Sequence, residues 1–258
     1  MTAYARNKIE PFLFSALILL LSTVSFSRNL VWRDELTMWN NVLLRSPGKW
    51  RPHYKMGLIL YLKENPQAAL LRFNTALRLK PDAYGLHNNA GLSYQKMGMR
   101  DEAVREYTLA IEKEGGASAY LNLGTVYLEE GDLERALGFF LKAVEKEPDD
   151  ASALLNAGFT YGDMGEYGYA IEMHKRALSV NPFFYHAHFG LGLAYEGTGQ
   201  YGEAAFHWRQ YLRYAPEEEG WRALAGRHLE RLKGGAPMGR PEVAPSHLKT
   251  QGMAATVQ

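Results

Sequence analysis

Apolar residues recur three to four positions apart through most of residues 34–233, the spacing that gives a helix one buried face. The runs are short and are cut at regular intervals. Pro47, Pro81, Pro148, Pro182 and Pro216 lie 34, 67, 34 and 34 residues apart, and Gly115 stands where the missing proline of the long gap would fall. Proline cannot continue a helix, so each one closes a helix. Between the prolines, Gly98, Gly131, Gly165 and Gly199 mark a second break, at a place that favours a left-handed residue. Two helices per 34 residues predict a stack of helix–turn–helix units. The units frame as 50–83, 84–116, 117–150, 151–184 and 185–218.

Each unit repeats the same order of small and large residues. Gly57, Gly91, Gly124, Gly158 and Gly192 take the eighth position, and Ala69, Ala103, Ala136, Ala170 and Ala204 the twentieth. Small residues at fixed points let two backbones approach where they cross, and a larger side chain would strain the contact. Large residues alternate with them: Leu60, Tyr94, Tyr127, Tyr161 and Tyr195 at position eleven, and Phe73, Tyr107, Phe140, His174 and Trp208 at position twenty-four. The order resembles the tetratricopeptide repeat family over residues 50–218. Two departures stand out: the second unit is one residue short without its proline, which puts a locally altered step near Glu114–Ala117, and His174 replaces a large hydrophobe. The fold class expected is all-α, a right-handed helix–turn–helix solenoid of five units.

The flanks differ from the repeats. Residues 11–27 carry no charge, and 17 residues is near the lower limit for crossing a bilayer. Extended to 32, the segment reads as one transmembrane helix or signal anchor, preceded by an N-terminal flank, 1–10. A cleaved leader lacks its small-x-small site, and a core helix would carry a polar face. Residues 33–49 read as a half-repeat helix, with Leu36, Trp39, Val42 and Leu43 on one face. Residues 219–233 read as a polar-backed capping helix, with Trp221, Leu224, His228 and Leu232 inward. Residues 234–258 read as a disordered tail. The stretch from Arg28 to Pro47 is similar to the junction in polytopic, glycosyltransferase-like membrane proteins with tetratricopeptide tails. A single-pass membrane location is the expectation. Basic residues after the segment favour a cytoplasmic repeat domain. The similarity favours an extracytoplasmic, periplasmic one, and the reading leans to the latter.

The net charge is +1 and cysteine is absent. No nucleic-acid partner is implied, and disulfides and cysteine-based zinc sites are excluded. No carboxylate–histidine pair has catalytic-motif spacing, and His186 and His188 fall on different faces of a helix. No enzyme activity, cofactor or metal is therefore expected.

In the resembled family the first helix of each unit lines a concave groove. At its sixth position stand Lys55, Asn89, Asn122, Asn156 and Gly190. Three successive asparagines form a column similar to the one in the tetratricopeptide arm of the nucleocytoplasmic GlcNAc transferase. An amide has both donor and acceptor, so it can pair with a peptide backbone; it can equally bond a neighbouring helix or water. Asn88, Leu121, Leu155 and Phe189 at position five, and Leu92, Thr125, Phe159 and Leu193 at position nine, complete a moderately apolar floor. The carboxylate clamp of chaperone-tail binders is not matched: Tyr54, Leu58, Asn89, Ser118 and Asn122 stand at its places. The expected site is thus a peptide groove of Lys55, Asn88, Asn89, Leu92, Asn122, Thr125, Asn156, Phe159 and Phe189. The expected function is a membrane-anchored scaffold for a protein or peptide partner. The alternative is an accessory or remnant of a glycosyltransferase-like membrane enzyme that presents acceptor proteins to a separate catalytic subunit.

Overall fold

The computed structural model describes residues 34–234. They form twelve α-helices, with no strand among the described residues, and fall into two compact units that meet in sequence at Asp82 and Ala83.

The first unit holds α1 (Glu35–Arg45), α2 (Trp50–Leu62) and α3 (Pro66–Leu79). Asp34 caps α1 by accepting from the Thr37 N–H at 3.0 Å, which satisfies one orphan donor of the first turn. Leu43 is buried in α1, and Leu36, Trp39 and Val42 are half-buried beside it, the face that the half-repeat reading requires. Asn65 caps α3, whose first residue is Pro66. Proline suits that position because its missing N–H would have no helical partner there.

The second unit runs α4 (Tyr84–Lys96), α5 (Arg100–Glu112), α6 (Ala117–Glu129), α7 (Leu133–Lys146), α8 (Ala151–Asp163), α9 (Tyr167–Val180), α10 (Tyr185–Gly197), α11 (Tyr201–Tyr214) and α12 (Arg222–Lys233). Helices pair as α4/α5, α6/α7, α8/α9 and α10/α11, and α12 packs on α11.

One contact explains the glycine of position eight. In every repeat the ring of position twenty-four lies flat on it. A Cβ would come within 2.5 Å of the Phe73 ring at Gly57, 2.6 Å of Tyr107 at Gly91, and 2.6 Å of Phe140 at Gly124. Gly158 faces His174 and Gly192 faces Trp208 in the same way. The alanines of position twenty are almost fully buried. Gly98, Gly131, Gly165 and Gly199 all adopt positive φ, between 74° and 83°. The helices end two residues before Pro81, Pro148, Pro182 and Pro216, each of which follows the C-cap. At the proline-free junction, Glu114 takes φ 61° and Gly115 N–H donates to Ala110 C=O at 2.8 Å. A Cβ at Gly115 would meet that carbonyl oxygen at 2.5 Å, so a tight backbone closure stands in for the proline stop.

The expected single-pass membrane location is corrected. Among the described residues no helix is long and apolar enough to cross a membrane. The longest have 14 residues, about 21 Å at ~1.5 Å per residue against a hydrocarbon core of ~30 Å. The segment 11–32, its flank 1–10 and the tail 235–258 lie outside the described residues. Phe183 lies in the turn before α10. It stays 67% exposed, edge-on to Tyr214, while Phe184 and Tyr185 are half-buried.

Candidate functional site

The asparagine column stands on the first helices of three successive repeats, α4, α6 and α8. Asn89, Asn122 and Asn156 are each 3% exposed. Asn89 donates from Nδ2 to Gly85 C=O at 2.6 Å, within its own helix. Asn122 donates from Nδ2 to Asn88 Oδ1 at 2.9 Å, linking α6 to α4. Oδ1 of Asn156 is buried with no hydrogen-bond partner. Leu92 is buried and Thr125 half-buried, with the Thr125 hydroxyl donating to Leu121 C=O at 2.9 Å. Lys55 is exposed on α2 in the first unit.

The C-terminal end of this face is covered by the chain itself. Trp221, at the start of α12, has its ring 4.5 Å from that of Phe189 and 6.1 Å, edge-on, from that of Phe159. It also meets His186 at 5.5 Å. Phe189 is fully buried and Phe159 is 4% exposed. The two phenylalanines expected in the floor therefore lie under Trp221.

A buried carboxylate ties α12 to the last repeat. Glu196 accepts from Trp208 Nε1 at 2.7 Å, from His228 Nδ1 at 2.9 Å and from Arg231 Nη2 at 3.2 Å. Its side chain is fully inaccessible and that of Arg231 is 34% exposed. A buried charge needs such a set of donors to be tolerated.

Sequence reasoning missed two histidine arrangements. His188 Nδ1 lies 2.9 Å from His207 Nδ1, both side chains buried. Their positions in the repeat, four and twenty-three, match those of His87 and Glu106, which pair at 2.8 Å. A polar residue at both places was the available signal. Burial pushes His207 down to about 4 and His186 likewise, and lowers His188. Among the described residues no group of three or more His, Cys, Asp or Glu side chains could hold a metal ion.

The second arrangement is His174, 1% exposed, with Nδ1 buried and unpartnered. Burial, with the neighbouring His207 adding to it, pushes its pKa down to about 3, so the ring is neutral at ordinary pH. It is held between two glycines: a Cβ at Gly158 would fall 2.6 Å from Cε1, and one at Gly190 2.2 Å from Nε2. Gly190 is where the asparagine column breaks, and the ring of His174 fills the space a side chain would need. Beside the ring is a small pocket of about 30 Å³, lined by Phe159, Gly162, Asp163, Tyr167 and Leu193 among others.

Comparison with known proteins bears out the repeats. Tetratricopeptide repeat family models match residues 88–152 and 139–172, and the chain carries tetratricopeptide repeats. The human protein O-mannosyl-transferase TMTC3 is 26% identical over 159 residues, 55% of this chain and 17% of that protein. The bovine BBSome complex member BBS4 is 29% identical over 91 residues, 35% of this chain and 18% of that protein. The chain thus spans less than a fifth of the length of these relatives. Among solved structures, YrrB, described as a TPR protein with an unusual peptide-binding site, superposes with a TM-score of 0.58 at 18% identity, covering 75% of this chain and 97% of YrrB. PilW, a type IV pilus biogenesis factor, gives a TM-score of 0.60 at 20% identity, covering 72% and 91%. Both likenesses concern the fold alone.

Proposed function

We propose that this chain of tetratricopeptide repeats is a non-catalytic scaffold that holds an extended protein or peptide segment along the first helices of its second unit. The observation that carries the reading is the asparagine column. Asn156 keeps a buried acceptor without a partner, which costs about 1–3 kcal/mol while it stays unmade. A ligand N–H reaching that oxygen would remove the cost. Asn89 and Asn122 engage Nδ2 with the protein and each retains an Oδ1 acceptor. The ligand lies over Asn88, Asn89, Leu92, Asn122, Thr125 and Asn156, and stops where Trp221 covers Phe159 and Phe189. The likeness in fold to YrrB is in keeping with peptide binding but does not carry it.

The test is a photo-crosslinking residue at Thr125, on the proposed face, or at the exposed Lys142 on α7, in the cells that express the chain. A partner captured from position 125 and not from 142 supports the reading, provided the triple change Asn89→Ala, Asn122→Ala, Asn156→Ala loses it at unchanged helicity and melting. Equal capture from both positions, or capture that survives the triple change, removes the function from this face.

A second reading rests on the match to an O-mannosyl-transferase. In it the chain is an accessory or remnant of a glycosyltransferase-like enzyme and presents acceptor proteins to a separate catalytic subunit. A glycosyltransferase among the crosslinked partners would favour it.

A further inference from the structure

The fourth repeat and its junction with the fifth depart from the others in three linked ways. His174 stands where the other repeats carry Phe73, Tyr107, Phe140 and Trp208. Gly190 interrupts the asparagine column against the His174 ring. Gly162, one turn beyond Gly158 on α8, has open space where a Cβ would be. The result is the pocket beside the imidazole. Its volume of about 30 Å³ exceeds the ~10–15 Å³ that one water needs, and suits a group of one or two non-hydrogen atoms.

The walls settle the chemistry of the occupant. They are mostly apolar, with Phe159 and Leu193 among the larger side chains. The imidazole of His174, 1% exposed, is among them. A neutral imidazole offers one donor and one acceptor, which complements a hydroxyl. The carboxylate of Asp163 in the lining disfavours an anion such as a phosphate or carboxylate by like-charge repulsion. An aliphatic group would fit the volume yet make no hydrogen bond to the imidazole. A hydroxyl with a methyl beside it meets both demands.

We infer that the pocket beside His174 is a side-chain subsite that takes a serine or threonine of the segment held along the first helices. The inference rests on the scaffold reading above and adds a residue preference to it. His174 supplies the hydrogen bond, Gly162 supplies the room, and Phe159 supports the methyl. The preference sits at the fourth repeat alone, since the other repeats fill the same place with a larger ring.

The experiment uses the full chain and a random dodecapeptide display library, panned on the wild type, on His174→Phe and on the triple asparagine variant. Phenylalanine occupies the same position in the first and third repeats, so His174→Phe keeps the fold while filling the pocket. Gly162→Leu is a second blocking variant at a site where a Cβ meets nothing. The expected result is wild-type enrichment of peptides with serine or threonine at one register. Replacing that residue by valine should weaken binding roughly 5- to 10-fold on the wild type, the scale of one net hydrogen bond, and leave binding unchanged on either blocking variant. Enrichment without a serine or threonine register, or an equal loss on all proteins, overturns the subsite and leaves the groove standing. No enrichment over the triple variant overturns both. As an independent check, N-acetyl-threonine methylamide titrated into chain with ¹⁵N-labelled histidine should move a His174 ring-nitrogen resonance saturably, and the valine analogue should not. An equal response to both shows that the pocket holds only water or any small group, and refutes the proposal.

Discussion

Glu196→Ala removes the only carboxylate that Trp208, His228 and Arg231 share. The loss can be worked from the contacts. Trp208 and His228 are 0% and 1% exposed, so the indole N–H and the imidazole have no water to turn to. Each costs about 1–3 kcal/mol when left unmade. Arg231 is one-third exposed and can swing outward, so its share is small. The total is about 3–5 kcal/mol, the range for breaking a buried pair from one side. In a repeat array each unit contacts only its neighbours, so the damage should stay in α10, α11 and α12. Hydrogen exchange followed by mass spectrometry is the assay. Protection should fall in fragments covering 201–233 and hold in those covering 100–146. Glu196→Gln, which keeps an acceptor for Trp208, should cost less. A loss under about 1 kcal/mol in urea melts, or an even loss of protection across the second unit, would refute the clamp.

Three further outcomes are expected. His174→Phe should raise stability by about 1–2 kcal/mol in urea melts, because it removes a buried unmade polar atom and fills the adjoining space; a lower midpoint would contradict the packing described. Gly124→Ala should destabilise by about 1–3 kcal/mol despite the better helix propensity of alanine, since its Cβ would sit 2.6 Å from the buried Phe140 ring; a neutral result would show that the ring can move. Stability should also fall with acid. The buried His174, His186 and His207 have folded pKa values of about 3, 4 and 4, below the unfolded value of about 6.5. The unfolded chain therefore binds the extra protons. Stability is full above pH 6.5 and is lost as pH falls towards about 4, by at most ~1.4 kcal/mol per pH unit for each histidine. A flat urea midpoint between pH 7.5 and 4.5 would count against it.

The repeat was legible because its signals are local and steric. A ring at position twenty-four demands a glycine at position eight, and a tight helix end demands a left-handed residue. Both requirements recur in sequence with the unit itself. Where the first repeat lacks a glycine at the turn, Glu64 adopts φ 59°, so the geometry persists without its usual residue. The asparagine column was legible as a column, but its bonds were not: Asn89 turns to its own helix and Asn122 to Asn88. Trp221 was expected to face inward, but its cover over Phe159 and Phe189 could not be read, because these partners lie 62 and 32 positions away. Glu196 carried a faint signal, a single carboxylate after the uncharged run from His186 to Tyr195.

A stack of identical units has no inherent last member, because the face that receives the next unit is the same at every step. Left bare, the face beyond α11 would accept a second copy as readily as a sixth repeat, and head-to-tail contacts of that kind grow without closing. Helix α12 ends that possibility. It gives Leu224, Ala225, His228 and Leu229 to the stack and turns Arg227, Glu230 and Lys233 outward, so that the final repeat is backed by a charged, hydrated surface. Glu196 then acts as a latch: by holding this short helix against α11, it keeps the apolar face of the last repeat covered.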